Sequence, residues 1–153
     1  MKKREKVELI LNNYNELRGK MISLEYDLEL NCDLEAIEYE ASSGGKGGVP
    51  KSVVEEEVVR CIDKQRERSR LKLYQHTVKR INKSLDNLNK EERKVIEWLY
   101  FDGLTRDEAS AEMFQEFQKG SVPTIDRRKR TALNKLVAMK FYNIPIKTML
   151  NVS

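Results

Sequence analysis

The 153-residue chain has few of the residues that build metal sites, disulfide scaffolds or rigid loops. It contains two cysteines, one histidine, three prolines and seven glycines, and aromatic residues make up only 7% of it. A structural zinc site needs about four closely paired nitrogen or sulfur ligands, and a disulfide scaffold needs more cysteines in less chain. We therefore predict no metal site and no disulfide framework, and interpret Cys32 and Cys61 as small, half-buried helix residues and His76 as an ordinary surface or seam residue.

Long hydrophobic runs are also missing. No stretch approaches the roughly 18 apolar residues of a membrane span. The basic start of the chain runs into Asn12, Asn13 and Asn15 instead of the apolar core of a signal peptide. Charged residues account for 35% of the sequence, a composition that favours helices over β-sandwiches. The sequence predicts a soluble, cytoplasmic, all-α protein with no membrane partner.

The sequence offers no recognisable catalytic arrangement. The single histidine has no nucleophile or acid partner nearby, and the glutamates at 55–57 fit an exposed helix N-terminus, where acids complement the helix dipole. The Gly-rich stretch 44–48 does not satisfy the phosphate-loop pattern, because Glu40 and Gly47 occupy positions that require Gly and Ser or Thr. We predict no enzymatic activity and no cofactor.

Two segments carry apolar residues at heptad spacing. In the first segment they are Ile10, Tyr14, Leu17, Met21, Leu24 and Leu28. In the second they are Leu71, Tyr74, Val78, Ile81, Leu85 and Leu88. A Ser/Gly-rich linker over 42–51 separates the two, so we predict a long antiparallel helical hairpin of an acidic helix over 1–41 and a basic helix over 52–88. The heptad seams could pair within one chain or, as a homodimer, between two chains.

Charge is unevenly distributed along the chain. The net charge is −4 over 1–41, +5 over 42–88 and +3 over 89–153. A basic C-terminal two-thirds behind an acidic arm indicates an anionic polymer as the partner of the later segments. The run DKQRERSR at 63–70 fits either a solvated helix turn or a basic stripe along DNA.

Three shorter helix signals follow in residues 89–153. Asn89 and Thr105 are each followed three residues later by a glutamate, the capping box that starts a helix. Gly120 is expected to end the second of these helices, and Ser121 opens a third, basic one. This order is typical of a helix-turn-helix domain, whose last helix can enter the major groove of DNA. We expect this domain to stay folded when residues 1–50 are removed.

The residue pattern of the last helix predicts which of its sides is buried and which faces outward. At 100° per residue its apolar residues fall on one side, and its basic and hydroxyl residues fall on the other. The side expected to be buried contains Ile125, Ala132, Leu133 and Leu136. The side expected to face outward contains Thr124, Arg127, Arg130 and Thr131, with Arg128 at its edge. This outward side is either a DNA-reading surface or the solvated basic face of a bundle helix.

Two stretches in this region, LNKEERKVIEWLYFDGLTRDEASAEM and SVPTIDRRKRTALNKL, resemble region four of bacterial sigma factors. They resemble still more closely phage late-gene transcriptional regulators of the ArpU/RinA type, which join a sigma-like C-terminal helix-turn-helix to a helical N-terminal part through a Ser/Gly-rich loop. The resemblance covers about residues 85–138, and the N-terminal half matches in layout only. Between Met113 and Ser121 the chain is longer than the family pattern, so we expect the first reading helix to be extended by more than one turn.

The resemblance implies a sequence-specific activator of phage late genes that binds double-stranded DNA and contacts RNA polymerase, at the nucleoid in the cytoplasm of a bacterial host. It places Leu99, Ala109, Ile125 and Leu133 in the core. The candidate DNA-binding residues are Ser121, Thr124, Arg127, Arg128, Arg130 and Thr131, together with Arg106 from the preceding helix. Two alternatives are a small terminase-like DNA-packaging subunit and a protein-binding helical adaptor.

Overall fold

A computed structural model describes the backbone of residues 1–42 and 51–151, and the side chains of 1–30 and 55–151. Within these residues the chain is helical and contains no strand, which confirms the predicted all-α class. The predicted linker lies, apart from its two end residues, outside the described residues. None of the described helices combines the length and hydrophobicity that crossing a bilayer requires.

The helices are α1 (Lys3–Asn12), α2 (Tyr14–Ser42), α3 (Lys51–Asp86), α4 (Lys90–Ile96), α5 (Arg106–Phe117), α6 (Val122–Ala138) and α7 (Ile146–Leu150). A π-helical turn, Glu97–Phe101, continues α4, and a 3-10 turn, Phe141–Asn143, precedes α7. The run at 63–70 does not interrupt α3, which continues through it as one helix.

The acidic N-terminal segment forms two helices rather than the single helix that its heptad spacing predicts. Asn13 lies between them, and its side-chain Nδ2 donates to the Leu9 carbonyl at 2.7 Å. Its backbone N–H is shared between the carbonyls of Leu9 and Ile10, both at 3.2 Å. Asparagine side chains compete with helical backbone bonding, and this competition explains the break within an otherwise regular apolar pattern.

The chain divides into two compact units, which we call unit 1 (Met1–Leu17 with Thr77–Ser153) and unit 2 (Arg18–His76). The division falls inside α2 and α3. The start of α2 and the end of α3 therefore belong to the same unit as the helices predicted to bind DNA.

The interior of unit 1 is built from both ends of the chain. α1 packs against α6 and against the 3-10 turn. Val7, Leu11 and Leu17 have no exposed surface, and Ile81 of α3 is buried as completely. Each such side chain contributes roughly 1.5–3 kcal/mol through burial. Because deletion of residues 1–50 would remove part of this core, the structure leads us to expect a loss of stability from that deletion, in contrast to the expectation from the sequence.

Tyr14 and Tyr100 tie the N-terminal residues into unit 1. The Tyr14 hydroxyl donates to Asn82 Oδ1 at 3.0 Å, and its ring stacks on Phe101 with 4.5 Å between the centroids. The Tyr100 hydroxyl donates to Glu8 Oε1 at 3.0 Å. Burial, followed by this hydrogen bond to a carboxylate, raises the pKa of Tyr100 well above its ordinary value.

Unit 2 contains most of α2 and the larger part of α3, the two helices that correspond to the predicted hairpin. Gln75 Nε2 of α3 donates to Glu25 Oε1 of α2 at 2.9 Å, so the two helices touch. Met21, Leu24 and Leu28, from the predicted seam, are half-buried. The pairing of the two seams along their whole length stays a prediction.

Candidate nucleic-acid interface

Three elements surround the candidate interface: α4 with its π-helical turn, α5 and α6. Their shared core contains Val95, Trp98, Ala109, Met113 and Ile125. α4 begins at the predicted capping box, in which the Glu92 N–H donates to Asn89 Oδ1 at 2.8 Å and the Asn89 N–H donates to Glu92 Oε2 at 3.3 Å. The box satisfies backbone N–H groups that the first turn leaves free, and it fixes where α4 starts.

The π-helical turn changes which side chains of this segment are buried. The Asp102 N–H donates to the Glu97 carbonyl five residues back, at 2.8 Å, and Gly103 follows with a φ of +68° that glycine adopts without strain. Trp98 is buried, whereas Leu99, which the resemblance places in the core, is half-buried beside it. A π-helical turn contains more residues than an α-helical turn. The residues that face the core here therefore differ from those that α-helical spacing predicts.

α5 is capped as predicted. The Glu108 N–H donates to Thr105 Oγ1 at 3.2 Å. The helix continues four residues past Met113 and ends at Phe117. Its extension relative to the family pattern stays a prediction.

The turn between α5 and α6 depends on two special backbone positions. α5 ends when Gln118 adopts a left-handed conformation with φ of 56°, two residues before the predicted stop at Gly120. A Cβ built on Gly120 would lie 3.0 Å from the Met113 Cβ, and the φ there is +152°. Gly120 is therefore required by the close approach of the turn to the core, not as the end of the helix.

α6 begins with the hydroxyl residues that the sequence assigned to DNA. The Thr124 N–H donates to Ser121 Oγ at 3.4 Å, and the two hydroxyls lie 2.9 Å apart. Pro123 occupies the first turn, where its missing N–H is not needed. Further along, Thr131 Oγ1 donates to the Arg127 carbonyl at 3.0 Å. Ser121 thus caps the helix, and the hydroxyls of Thr124 and Thr131 bond within it, while each oxygen retains acceptor capacity.

The buried side of α6 is the predicted one. Its four members, Ile125, Ala132, Leu133 and Leu136, have no exposed surface. On the opposite side Arg127 and Arg130 are exposed, with Thr124 and Thr131 half-buried beside them. Neither of these arginines pairs with an acid among the described side chains.

Asn134 extends the outward side of α6, although it is not among the candidate residues predicted from the sequence. It lies seven residues, or almost two turns, after Arg127 and is exposed. The spacing that selected Arg127, Arg130 and Thr131 applies equally to Asn134. Its amide can both donate and accept, which is the pattern that recognises adenine.

Arg128 does not join Arg127 and Arg130. Its Nη2 lies 2.8 Å from Glu91 Oε2 of α4, and its side chain is only 27% exposed. Lys119 Nζ, from the turn before α6, lies 2.7 Å from the other oxygen of Glu91. The hydrogen bond from Lys119, opposed by partial desolvation and supported by the charge of Arg128, lowers the pKa of the Glu91 carboxyl. Arg128 thus binds α6 to α4 instead of pointing outward.

Arg106 also makes an intramolecular ion pair. Its Nη1 lies 3.0 Å from Asp126 Oδ2, so the start of α5 is joined to the first turns of α6. The Arg106 side chain is nevertheless 63% exposed. It lies where its remaining N–H groups can reach solvent or a phosphate.

Two further cations fix α6 from its other sides. Lys135 Nζ lies 2.9 and 3.0 Å from the two oxygens of Glu92, a carboxylate that is almost completely buried. Lys129 Nζ lies 3.8 Å from Glu8 of α1 and 5.7 Å from the centre of the Tyr100 ring. These pairs could not be predicted from local residue spacing, because their members are far apart along the chain.

No protein-family model, curated protein or solved structure matches this chain. The interpretation of this surface therefore depends on its own chemistry. Arg127 and Arg130 present two planar guanidinium groups about one turn apart, and each can bind a phosphate or the O6 and N7 atoms of guanine through paired hydrogen bonds. Such a surface can bind and select an anionic polymer.

Proposed function

We propose that the protein is a sequence-specific, double-stranded DNA-binding regulator of transcription, with α6 as the helix that enters the major groove. The observation that carries this proposal is the division of α6 into two opposite sides. One side is completely buried in unit 1, and the other exposes Arg127 and Arg130. A helix held by its apolar side with arginines outward fits a groove about 12 Å wide.

The attachment of α6 supports this role. A reading helix discriminates between bases only if its side chains start from a fixed position. Glu91 holds Arg128 and Lys119, and Glu92 holds Lys135, so two acids of α4 contact both the turn before α6 and a later turn of α6. The cations paired with Glu91 and Glu92 position α6, and the unpaired arginines Arg127 and Arg130 are the ones proposed to read DNA bases.

The resemblance of residues 85–138 extends the proposal to a class of regulator. We propose a phage-encoded activator of the ArpU/RinA type that binds promoter DNA and contacts RNA polymerase at the nucleoid of a bacterial host. Ser121, Thr124, Arg127, Arg130 and Thr131 remain in the proposed contact set, and Arg106 reaches phosphates from its exposed position. Arg128 is reassigned to positioning α6.

The test is to select bound fragments from randomised duplex DNA and then measure affinity for the selected site with single variants. We expect Arg127→Ala and Arg130→Ala each to weaken binding by about 1–3 kcal/mol and to relax base preference at one position. Arg18→Ala, at another exposed arginine on α2, is the matched control and should leave the preference unchanged. Full affinity and preference in both α6 variants would contradict the proposal.

A protein-binding helical adaptor is the second candidate, because unit 2 exposes large apolar side chains such as Tyr26, which is 66% exposed. The two candidates differ in their response to salt. A DNA-binding protein that neutralises several phosphates loses affinity steeply as salt rises from about 50 to 200 mM, since counterions are released on binding. We expect this steep loss, measured by fluorescence anisotropy on labelled duplex. A flat response, or no binding at low salt, would favour the adaptor.

A further inference from the structure

Basic side chains from three separate segments meet on the surface of unit 1. Arg80 of α3 donates from Nη2 to the Lys140 carbonyl at 3.5 Å, so the last turns of α3 lie beside the chain that follows α6. Lys3 of α1 reaches the same segment, with its Nζ 5.2 Å from the centre of the Tyr142 ring. Lys83 follows Arg80 by almost one turn on the same side of α3. We call Lys3, Arg80, Lys83 and Lys140 the basic patch.

Two further contacts show that α3 runs beside this segment over several turns. Thr77 Oγ1 lies 3.6 Å from Met149 Sδ, and Asn87 Nδ2 lies 3.8 Å from Met139 Sδ. These two residues of α3 are almost three turns apart, and the α3 members of the basic patch lie between them. The patch is therefore one continuous area where α3 meets the end of the chain.

The basic patch has no compensating acid. Its four side chains are exposed, and none pairs with a carboxylate among the described side chains. α3 has no acid between Glu67 and Asp86, and Asp86 itself is engaged by another arginine. The chain has no acid after Asp126, and Glu5 of α1 accepts from the Lys2 backbone N–H. Clustered cations without an acid repel one another, and such a surface is the electrostatic footprint of a nucleic-acid backbone.

The basic patch and the outward side of α6 suit different parts of a duplex. Three of the four patch residues are lysines, whose ammonium groups act as hydrated point charges rather than as planar forks. Arg80 already uses one of its N–H groups on the Lys140 carbonyl. Contacts of this kind fit phosphate oxygens, and they add affinity for any sequence without selecting bases.

We propose that the basic patch binds the phosphate backbone of the same duplex whose bases α6 reads; this inference rests on the proposed function. α6 extends about 16 Å from Arg127 to its last residue, Ala138, and the patch begins just beyond that end. A duplex rises about 3.4 Å per base pair, so the patch contacts phosphates about five base pairs from the bases that Arg127 reaches. The two surfaces thus divide affinity and base selection between them.

The test compares two double variants of the full chain that lose the same charge. Arg80→Gln with Lys140→Gln removes two patch cations, and Arg18→Gln with Lys20→Gln removes two exposed cations of α2 as the matched control. We expect the patch variant to bind the selected site and an unrelated duplex roughly tenfold more weakly at about 100 mM salt. The slope of log affinity against log salt should fall by about 2, with base preference unchanged. The control should match the original chain in all three measurements.

A charge-conserving variant separates the effect of charge from that of packing. Arg80→Lys with Lys140→Arg keeps both cations, and it should keep the affinity and the salt slope of the original chain. Equal weakening in this variant would mean that the fit of Arg80 against the segment after α6, and not its charge, supports binding. That result would overturn the proposal.

Duplex length locates the contact. On a duplex trimmed to the bases that selection fixes, the original chain and the patch variant should bind alike, because the phosphates that the patch contacts are missing. A difference that persists on the trimmed duplex would contradict the proposed position. Full affinity and salt slope of the patch variant on the long duplex, with base preference still lost in Arg127→Ala, would overturn this inference alone. A chain that binds no DNA would overturn the proposed function with it.

Discussion

Apolar residues recur at helical spacing in both units, but they are mostly buried in unit 1 and mostly exposed in unit 2. Among the described side chains, every buried apolar one except Tyr74 lies in unit 1, and seven of the nine exposed large apolar ones lie in unit 2. Unit 1 has a closed interior because two ends of the chain contribute to it. Periodic apolar residues thus predict a helix and a preferred side, while the supply of packing partners decides whether that side is buried.

Stability should follow this division. A unit with a completed core unfolds with a large free energy, whereas helices with exposed apolar faces open more easily. α2 and α3 cross from one unit into the other, so parts of the same helix are expected to differ in protection. We therefore expect unit 1 to be the stable part of the molecule, and its buried side chains to be the residues that make it so.

The largest effect is expected on removing residues 1–17. This deletion takes away Val7, Ile10, Leu11, Tyr14 and Leu17, all of them buried. Their combined burial is worth roughly 8–15 kcal/mol, comparable to the whole stability of a domain. We expect the chain beginning at residue 18 to lose its cooperative thermal transition by circular dichroism. An unchanged melting temperature would show that unit 1 folds without α1.

A matched pair of point changes sharpens the comparison between the units. Leu11→Ala creates a cavity in unit 1, where Leu11 has no exposed surface, and we expect a loss of about 2–5 kcal/mol in the free energy of unfolding. Ile22→Ala alters a side chain of unit 2 that is 52% exposed, and should change it by less than about 0.5 kcal/mol. Urea denaturation of both variants gives the two values. Equal losses would contradict the difference drawn between the units.

Local features of the fold could be predicted from the sequence. The caps at Asn89, Thr105 and Ser121 and the buried side of α6 all follow from residues within about two turns of one another. Capping and helical periodicity act over that range, and unit 1 leaves them undisturbed. The all-α class follows from the same local preferences.

Features that depend on distant residues could not be predicted. Helical spacing places Arg128 at the edge of the outward side of α6. Its side chain instead pairs with Glu91, a residue far earlier in the chain. The docking of α1 on α6 is equally hidden, because a heptad pattern does not specify its partner. The π-helical turn moves Leu99 partly out of the core through one extra residue in a turn, and no residue spacing indicated it.

The smallest effect on stability is expected at Glu91 of unit 1, where the substitution removes a charge instead of an apolar contact. Lys119 and Arg128 hold the pKa of this carboxyl below its ordinary value of 4.5. A carboxyl whose pKa falls on folding stabilises the folded chain above its unfolded pKa, and that contribution disappears as the pH drops through the folded pKa. Glu91→Gln should therefore reduce the free energy of unfolding by about 1 kcal/mol at neutral pH.

The pH dependence identifies the carboxylate as the cause. The difference between Glu91→Gln and the unchanged chain should be constant from neutral pH down to about pH 5, and should shrink below that as Glu91 is protonated in both states. Glu112→Gln, at an exposed carboxyl of α5, is the control and should stay within about 0.5 kcal/mol at neutral pH. Urea denaturation at a series of pH values supplies the measurement. A deficit that persists unchanged in acid would mean that packing, rather than the ion pairs to Lys119 and Arg128, gives Glu91 its effect, and that α6 is positioned by its apolar side alone.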